Sequence, residues 1–126
     1  MNILLDTHIL LWWLTDDRRL KKLERDLLID SGNPVSISVV SYWEIVIKTA
    51  NGRLEAELDE VLKAVDQSGF STLPIHARHT RALADLPPHH ADPFDRMLVA
   101  QAQADSLRLL TRDQKIAAYG PVVMLV

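Results

Sequence analysis

The stretch that narrows the fold most is Ile3-Leu4-Leu5, apolar at every position and ending at Asp6. A strand with one wet face alternates apolar and polar residues. A strand without alternation is buried on both faces, the condition found at the centre of a parallel sheet. Comparable runs recur at residues 35–39, 72–75, 107–111 and 122–126. Pro74 cannot donate to a ladder, so the 72–75 strand is assigned to a sheet edge.

Between these runs the apolar residues recur at helical spacing. Residues 9–14 predict one helix. A second follows Asp16-Asp17 as N-cap, carries Leu20, Leu23, Leu27 and Leu28, and stops at Gly32-Asn33-Pro34. Further helices are predicted over 40–49, from Asp59 to Gly69, and near 77–86. Another runs from Phe94 or Asp95 to Ala104, with a helical turn at 115–119. Strands alternating with helices predict an α/β fold: a five-stranded, mainly parallel sheet with helices on both faces.

Length and composition fit one domain over residues 1–126, with 48% hydrophobic residues. A chain of this length buries about two-thirds of its unfolded surface. The absence of cysteine excludes disulfides, thiolate zinc sites and cysteine nucleophiles. No basic-then-apolar leader is visible, and no apolar run reaches the roughly 20 residues of a membrane helix. The expectation is a soluble cytoplasmic protein with no membrane partner. The net charge of −3 gives no broad attraction for nucleic acid, so such a substrate needs a local basic patch or bound cations.

In parallel sheets ligands bind beyond the carboxyl ends of the strands. Asp6 ends the first strand, and Glu44 lies early in the helix after the second. Asp95 begins the helix that returns to the fourth strand, and Asp113 lies just beyond that strand. All four acids are therefore expected on one rim. Crowded carboxylates raise one another's pKa values, and a divalent cation relieves the repulsion. Oxygen ligands favour a hard ion, Mg²⁺ or Mn²⁺, which can activate water for phosphodiester hydrolysis.

Each acid also has an ordinary reading. Asp6 and Asp113 fit helix caps or turns, Glu44 fits a solvated helix face, and Asp92 or Asp95 fits an N-cap with Pro93 as first helical residue.

The sequence is similar to PIN-domain ribonucleases, specifically the VapC-type toxins of bacterial toxin–antitoxin pairs. The resemblance runs through Ile3-Leu4-Leu5-Asp6-Thr7-His8 and Leu10-Leu11-Trp12, then Ser38-Val39-Val40-Ser41-Tyr42-Trp43-Glu44-Ile45. It continues through Ile47-Lys48, Gly52-Arg53-Leu54 and the block from His90 through Asp92-Pro93-Phe94-Asp95-Arg96 to Ala102. It closes at Leu110-Thr111-Arg112-Asp113.

The resemblance implies a PIN-like three-layer α/β/α sandwich. It also implies a magnesium-dependent endoribonuclease acting on transfer, ribosomal or messenger RNA. Asp6, Glu44, Asp95 and Asp113 match the family's acidic positions, as metal-holding and catalytic residues acting on a metal-bound water. The implied partners are a second copy in a homodimer and a cognate antitoxin that occludes the site in a toxin–antitoxin hetero-oligomer.

Thr7 and Thr111 are candidates to hydrogen-bond the carboxylates, with turn chemistry as the alternative. Arg96 and Arg112 are candidates for phosphate or for an ion pair with a neighbouring carboxylate. Asp92 is assigned as a cap. His8, His89 and His90 are assigned as polar loop residues in preference to ligands. The basic stretch Arg18, Arg19, Lys21, Lys22 and Arg25 is interleaved with acids and is assigned to a solvated helix face. Adjacent Trp12 and Trp13 cannot point the same way on a helix, so one is expected to be partly exposed, in a groove for an antitoxin helix or a dimer contact.

Other functions compete. A phosphatase with an Asp nucleophile needs a second acid where His8 stands, a receiver domain needs an acid pair after strand one, and a binding module needs only capping acids.

Overall fold

The computed structural model describes residues 1–126. Five strands, β1 (Ile3–Leu5), β2 (Val35–Ser38), β3 (Ser71–Leu73), β4 (Arg108–Thr111) and β5 (Val123–Leu125), form one sheet in the order β3-β2-β1-β4-β5. Every pairing is parallel. β1 is central, and β3 lies at an edge.

The pleat explains why β1 is apolar throughout. Ile3 and Leu5 enter a core cluster on one face with Ile9, Leu10, Ile37, Ile45 and Leu110. Leu4 points the other way, into a cluster with Leu98, Val99, Ala102, Leu109 and Ile116. Each face is sealed by helices, so no position in β1 can be polar; a Leu4→Ala change is expected to cost about 2–5 kcal/mol.

The helices are α1 (Thr7–Leu14), α2 (Lys22–Ile29), α3 (Val39–Ala50), α4 (Leu58–Gln67), α5 (Ala77–Ala84), α6 (Pro93–Ala104) and α7 (Gln114–Ala117). Three local results differ from the sequence expectation. Asp16 and Asp17 do not cap α2: Asp17 accepts from the Arg19 backbone and side chain, Asp16 sits at φ 52°, and α2 starts after Lys21 with no side-chain cap. The second strand stops at Ser38, whose hydroxyl caps α3 by accepting from Val40 N. The edge strand is 71–73, so Pro74 follows it.

Asp92 caps α6, accepting from Phe94 N and Asp95 N, with Pro93 as first helical residue. No helix is long and apolar enough to cross a membrane.

Candidate metal centre

The strand ends and helix starts deliver the predicted acids to one rim. Asp6 follows β1 and caps α1, its Oδ1 accepting from Ile9 N at 2.8 Å. Its Oδ2 accepts a hydrogen bond from the Thr111 hydroxyl, at the end of β4. Thr111 Oγ1 in turn accepts from Asp113 N at 3.1 Å. One side chain thus ties the acid after β1 to the acid after β4. Asp113 caps α7, its Oδ1 accepting from Lys115 N at 2.9 Å, while its Oδ2 faces inward.

Glu44 is 2% exposed. Its Oε1 lies 2.6 Å from Thr7 Oγ1, which is also 3.0 Å from Ser41 Oγ. Thr7 has one proton; the carboxylate takes it, and Ser41 serves as donor to Thr7. Oε2 pairs with the Lys48 ammonium one helical turn later. Thr7 and Thr111 therefore both bind carboxylates.

Asp95, in the first turn of α6, meets His90. His90 Nε2 lies 3.0 Å from Asp95 Oδ2 and 3.4 Å from Asp113 Oδ2. Those distances suit charge attraction, yet the ring nitrogen is sealed from water and meets neither oxygen at hydrogen-bond angles. His90, Asp95 and Asp113 are the potential ligands whose atoms all lie within 4.8 Å of one another. Asp6 and Glu44 stand outside that trio. They act on it through charge.

Burial pushes the Asp6 carboxyl above its ordinary value, against the hydrogen bonds from Thr111 and Ile9 N; the Glu44 charge adds to the rise. Asp95 is pushed up to about 7 by burial, then by the charges of Asp92, Glu44 and Asp6, with His90 pulling the other way. The rim is a set of carboxylates that oppose one another's ionisation. A divalent cation fits such a set: it relieves the repulsion, and the donors are mostly the hard oxygens that Mg²⁺ and Mn²⁺ prefer.

The other predicted residues fall outside this trio. Arg96 has no carboxylate partner: it donates to the carbonyls of Leu86 and Pro87 and to the Tyr119 hydroxyl. Tyr119 also accepts from His90 N, so Arg96 braces the loop that carries His90. Arg112 donates to Arg19 O and pairs with Glu24, and both Arg112 and Arg19 lie over the Trp12 ring, 5.0 and 4.8 Å from its centroid. Arg96 is engaged by two carbonyls and a hydroxyl, and Arg112 by a carbonyl and Glu24, with Arg112 Nε left without a partner. In the basic stretch Arg19, Lys22 and Arg25 are paired with Asp17, Asp26 and Asp16.

Trp12 and Trp13 are both partly exposed. Trp13 donates to Ser68 Oγ and packs on Phe70. His90 and Lys48 are the contributors that the sequence reading left without a role. Both lie inside blocks that carry the resemblance, which was the available signal.

The sequence profile of the PIN domain matches residues 3–120. The chain is 24% identical over 124 residues to Ribonuclease VapC22 of Mycobacterium tuberculosis, covering 94% of this chain and 92% of that protein. Its fold is similar to VapBC2 from Rickettsia felis bound to a promoter DNA fragment, with TM-score 0.73, 17% identity, and coverage of 100% and 98% of the two chains. It is also similar to a toxin–antitoxin complex from Klebsiella pneumoniae, with TM-score 0.69, 24% identity, and coverage of 97% and 95%. With the profile spanning nearly the whole α/β/α sandwich and its acid rim, this chain belongs to the PIN-domain family.

Proposed function

We propose that this chain is a magnesium-dependent endoribonuclease and the toxin of a toxin–antitoxin pair. The observation that carries the proposal is the mutual electrostatic opposition of Asp6, Glu44 and Asp95, with Asp113 meeting Asp95 across His90. Buried like charges at strand ends are costly to keep without a counter-ion. The similarity to a protein named a ribonuclease supplies the substrate class.

Asp95 and Asp113 would hold Mg²⁺, or Mn²⁺ in its place, with Asp6 and Glu44 completing the negative rim. When bound, the cation polarises a phosphodiester and makes water a competent nucleophile near neutral pH. Thr111 and Thr7 keep the Asp6 and Glu44 carboxylates oriented. Lys48 balances Glu44 charge, and Arg96 with Tyr119 fixes the loop that holds His90 over Asp95. The one-domain organisation over residues 1–126 is part of the same proposal.

The partners follow from the same similarity. Solved relatives are toxin–antitoxin complexes, which supports an antitoxin that covers the site. For a homodimer, α3 offers an apolar face: Val39, Trp43, Val46 and Ile47 recur along one side and are 37%, 55%, 45% and 38% exposed. The proposed setting is the cytoplasm.

Incubation of the purified chain with transfer, ribosomal and messenger RNA in Mg²⁺ tests the reading. Discrete cuts in at least one of them support it. RNA left intact in all three refutes it.

A further inference from the structure

Beside the acid rim lies a cleft of about 240 Å³ whose wall is cationic where the rim is anionic. Its charged residues are Glu44, Lys48 and Arg53, and His8, Leu11 and Leu54 also line it. Both Glu44 oxygens are occupied, by Thr7 and by Lys48. The outward charge of the cleft is therefore positive, in a chain whose net charge is −3.

The local sequence builds this. α3 ends at Ala50, and Gly52 takes φ 77°, which lets the chain reverse. Gly52 N then donates to Thr49 O at 3.2 Å, and Arg53 N donates to Lys48 O at 2.9 Å. That pair of bonds returns Arg53 to the last turn of the helix, beside Lys48. Other residues would close the same turn without adding charge, yet position 53 carries a guanidinium.

Arg53 is exposed, and its side chain has no hydrogen-bond or ion-pair partner. Arg19, Arg25, Arg78, Arg81 and Arg112 are all paired with carboxylates. Arg18 and Arg108 are exposed and unpaired as well, but Arg53 is the arginine that lines this cleft.

We propose that Lys48 and Arg53 form an anion subsite that holds a backbone phosphate of the RNA strand next to the one being cut. Resting on the ribonuclease reading, it names the residues that grip the substrate. Arg53 presents a planar fork for phosphate oxygens, and Lys48, paired with Glu44, offsets that carboxylate so that an approaching phosphate does not meet its uncompensated charge. Glu44 is the hinge between the two zones: its charge reaches Asp6 and Asp95 on one side, and it holds Lys48 on the other. A strand lying across this boundary meets the acid rim at one phosphate and the cationic cleft at a neighbouring one.

The test is RNA binding by fluorescence anisotropy, using a labelled mixed-sequence 20-nucleotide single strand. Asp95→Asn protein with Ca²⁺ keeps the strand uncut. The salt dependence is recorded for this background and for the same background with Arg53→Ala or Arg53→Lys. Removing one phosphate contact lowers the slope of log K against log salt by about 0.7. Arg53→Ala is expected to show that loss and about tenfold weaker binding. Arg53→Lys keeps the slope, because it keeps the charge. Mn²⁺ affinity, measured by calorimetry in the chain carrying Asp95, stays unchanged in Arg53→Ala.

An unchanged salt slope in Arg53→Ala overturns the subsite while leaving the nuclease reading intact. So does an unchanged slope accompanied by weaker binding of an acidic protein partner, which would assign the cleft to that partner's carboxylate. A parent background that does not bind the strand at all overturns this subsite, while the nuclease reading is decided separately by the cleavage of transfer, ribosomal and messenger RNA.

Discussion

The Thr111 hydroxyl donates to the Asp6 carboxylate across 105 residues of chain, while its oxygen accepts from the Asp113 backbone. The bond favours the charged form of a carboxylate that burial pushes toward neutrality. Thr111→Val keeps the shape and removes the donor. Mn²⁺ affinity is expected to fall about tenfold or more, the usual effect of losing a group that orients a ligand. Calorimetric titration with Mn²⁺ reads it, and an affinity equal to that of the parent contradicts the role given to Thr111.

Asp6→Asn separates capping from chemistry. Asparagine still accepts from Ile9 N and caps as well as aspartate, and the exchange of the Thr111 bond at the second oxygen is expected to keep the stability change to about 1–3 kcal/mol, leaving the protein folded. RNA cleavage should drop by orders of magnitude. Urea denaturation and a cleavage assay on the same preparation decide the point. Full activity with a stability change alone would make Asp6 a cap and nothing more.

Asp95 makes the metal-free protein sensitive to pH in an unusual direction. Its carboxyl ionises near 7 in the folded chain against an ordinary value of 3.8. The folded state therefore holds a proton that the unfolded chain has released, and stability falls as pH rises between those two values. Asp17 and Asp105, both lowered to about 2, lose their contribution only in more acid solution and do not mask the trend. With chelator present, Tm should be higher at pH 5.5 than at pH 7.5. Added Mn²⁺ should raise Tm more at pH 7.5, where the ligands are ionised. A chelated protein whose Tm climbs steadily from pH 5.5 to 7.5 would contradict this account.

Much of the fold is legible in the sequence. The unbroken apolar run of β1 announces a strand covered on both faces, and an acid ending such a run has to stand at the strand's mouth. Pro74 marked the edge correctly although the strand stops one residue before it. α2 starts later than the Asp16-Asp17 pair suggests, because Asp17 accepts from the backbone and side chain of Arg19, two residues on. The position of His90 was equally invisible. It depends on Tyr119, 29 residues later, and on Arg96, which holds the loop through two carbonyls. Trp12 gives no hint in the sequence that two arginines pack against its ring. Periodicity reports which face of an element is buried; it says nothing of which loop atoms meet across the rim.

Arg96→Ala tests that bracing role. The carbonyls of Leu86 and Pro87 lose a charged donor, and the expected cost is about 1–3 kcal/mol by urea denaturation. Mn²⁺ binding should weaken as well, because His90 is no longer held over Asp95. Loss of stability with metal binding untouched would leave Arg96 a purely structural clip.

Trp43 is the most exposed large aromatic side chain on α3, touching Phe94 edge-on and otherwise open. Trp43→Glu should shift the protein toward the monomer mass in light scattering while leaving the monomer folded. A mass that is the same for both proteins would remove α3 from the proposed dimer contact.

The most direct trial of the central claim compares RNA cleavage by the parent protein and by Asp95→Asn after exhaustive chelation, before and after adding Mg²⁺ or Mn²⁺. The acid rim predicts no cleavage without metal, recovery in the parent alone, and an inert variant throughout. Cleavage that persists in chelator, or an Asp95→Asn protein as active as the parent, would contradict it.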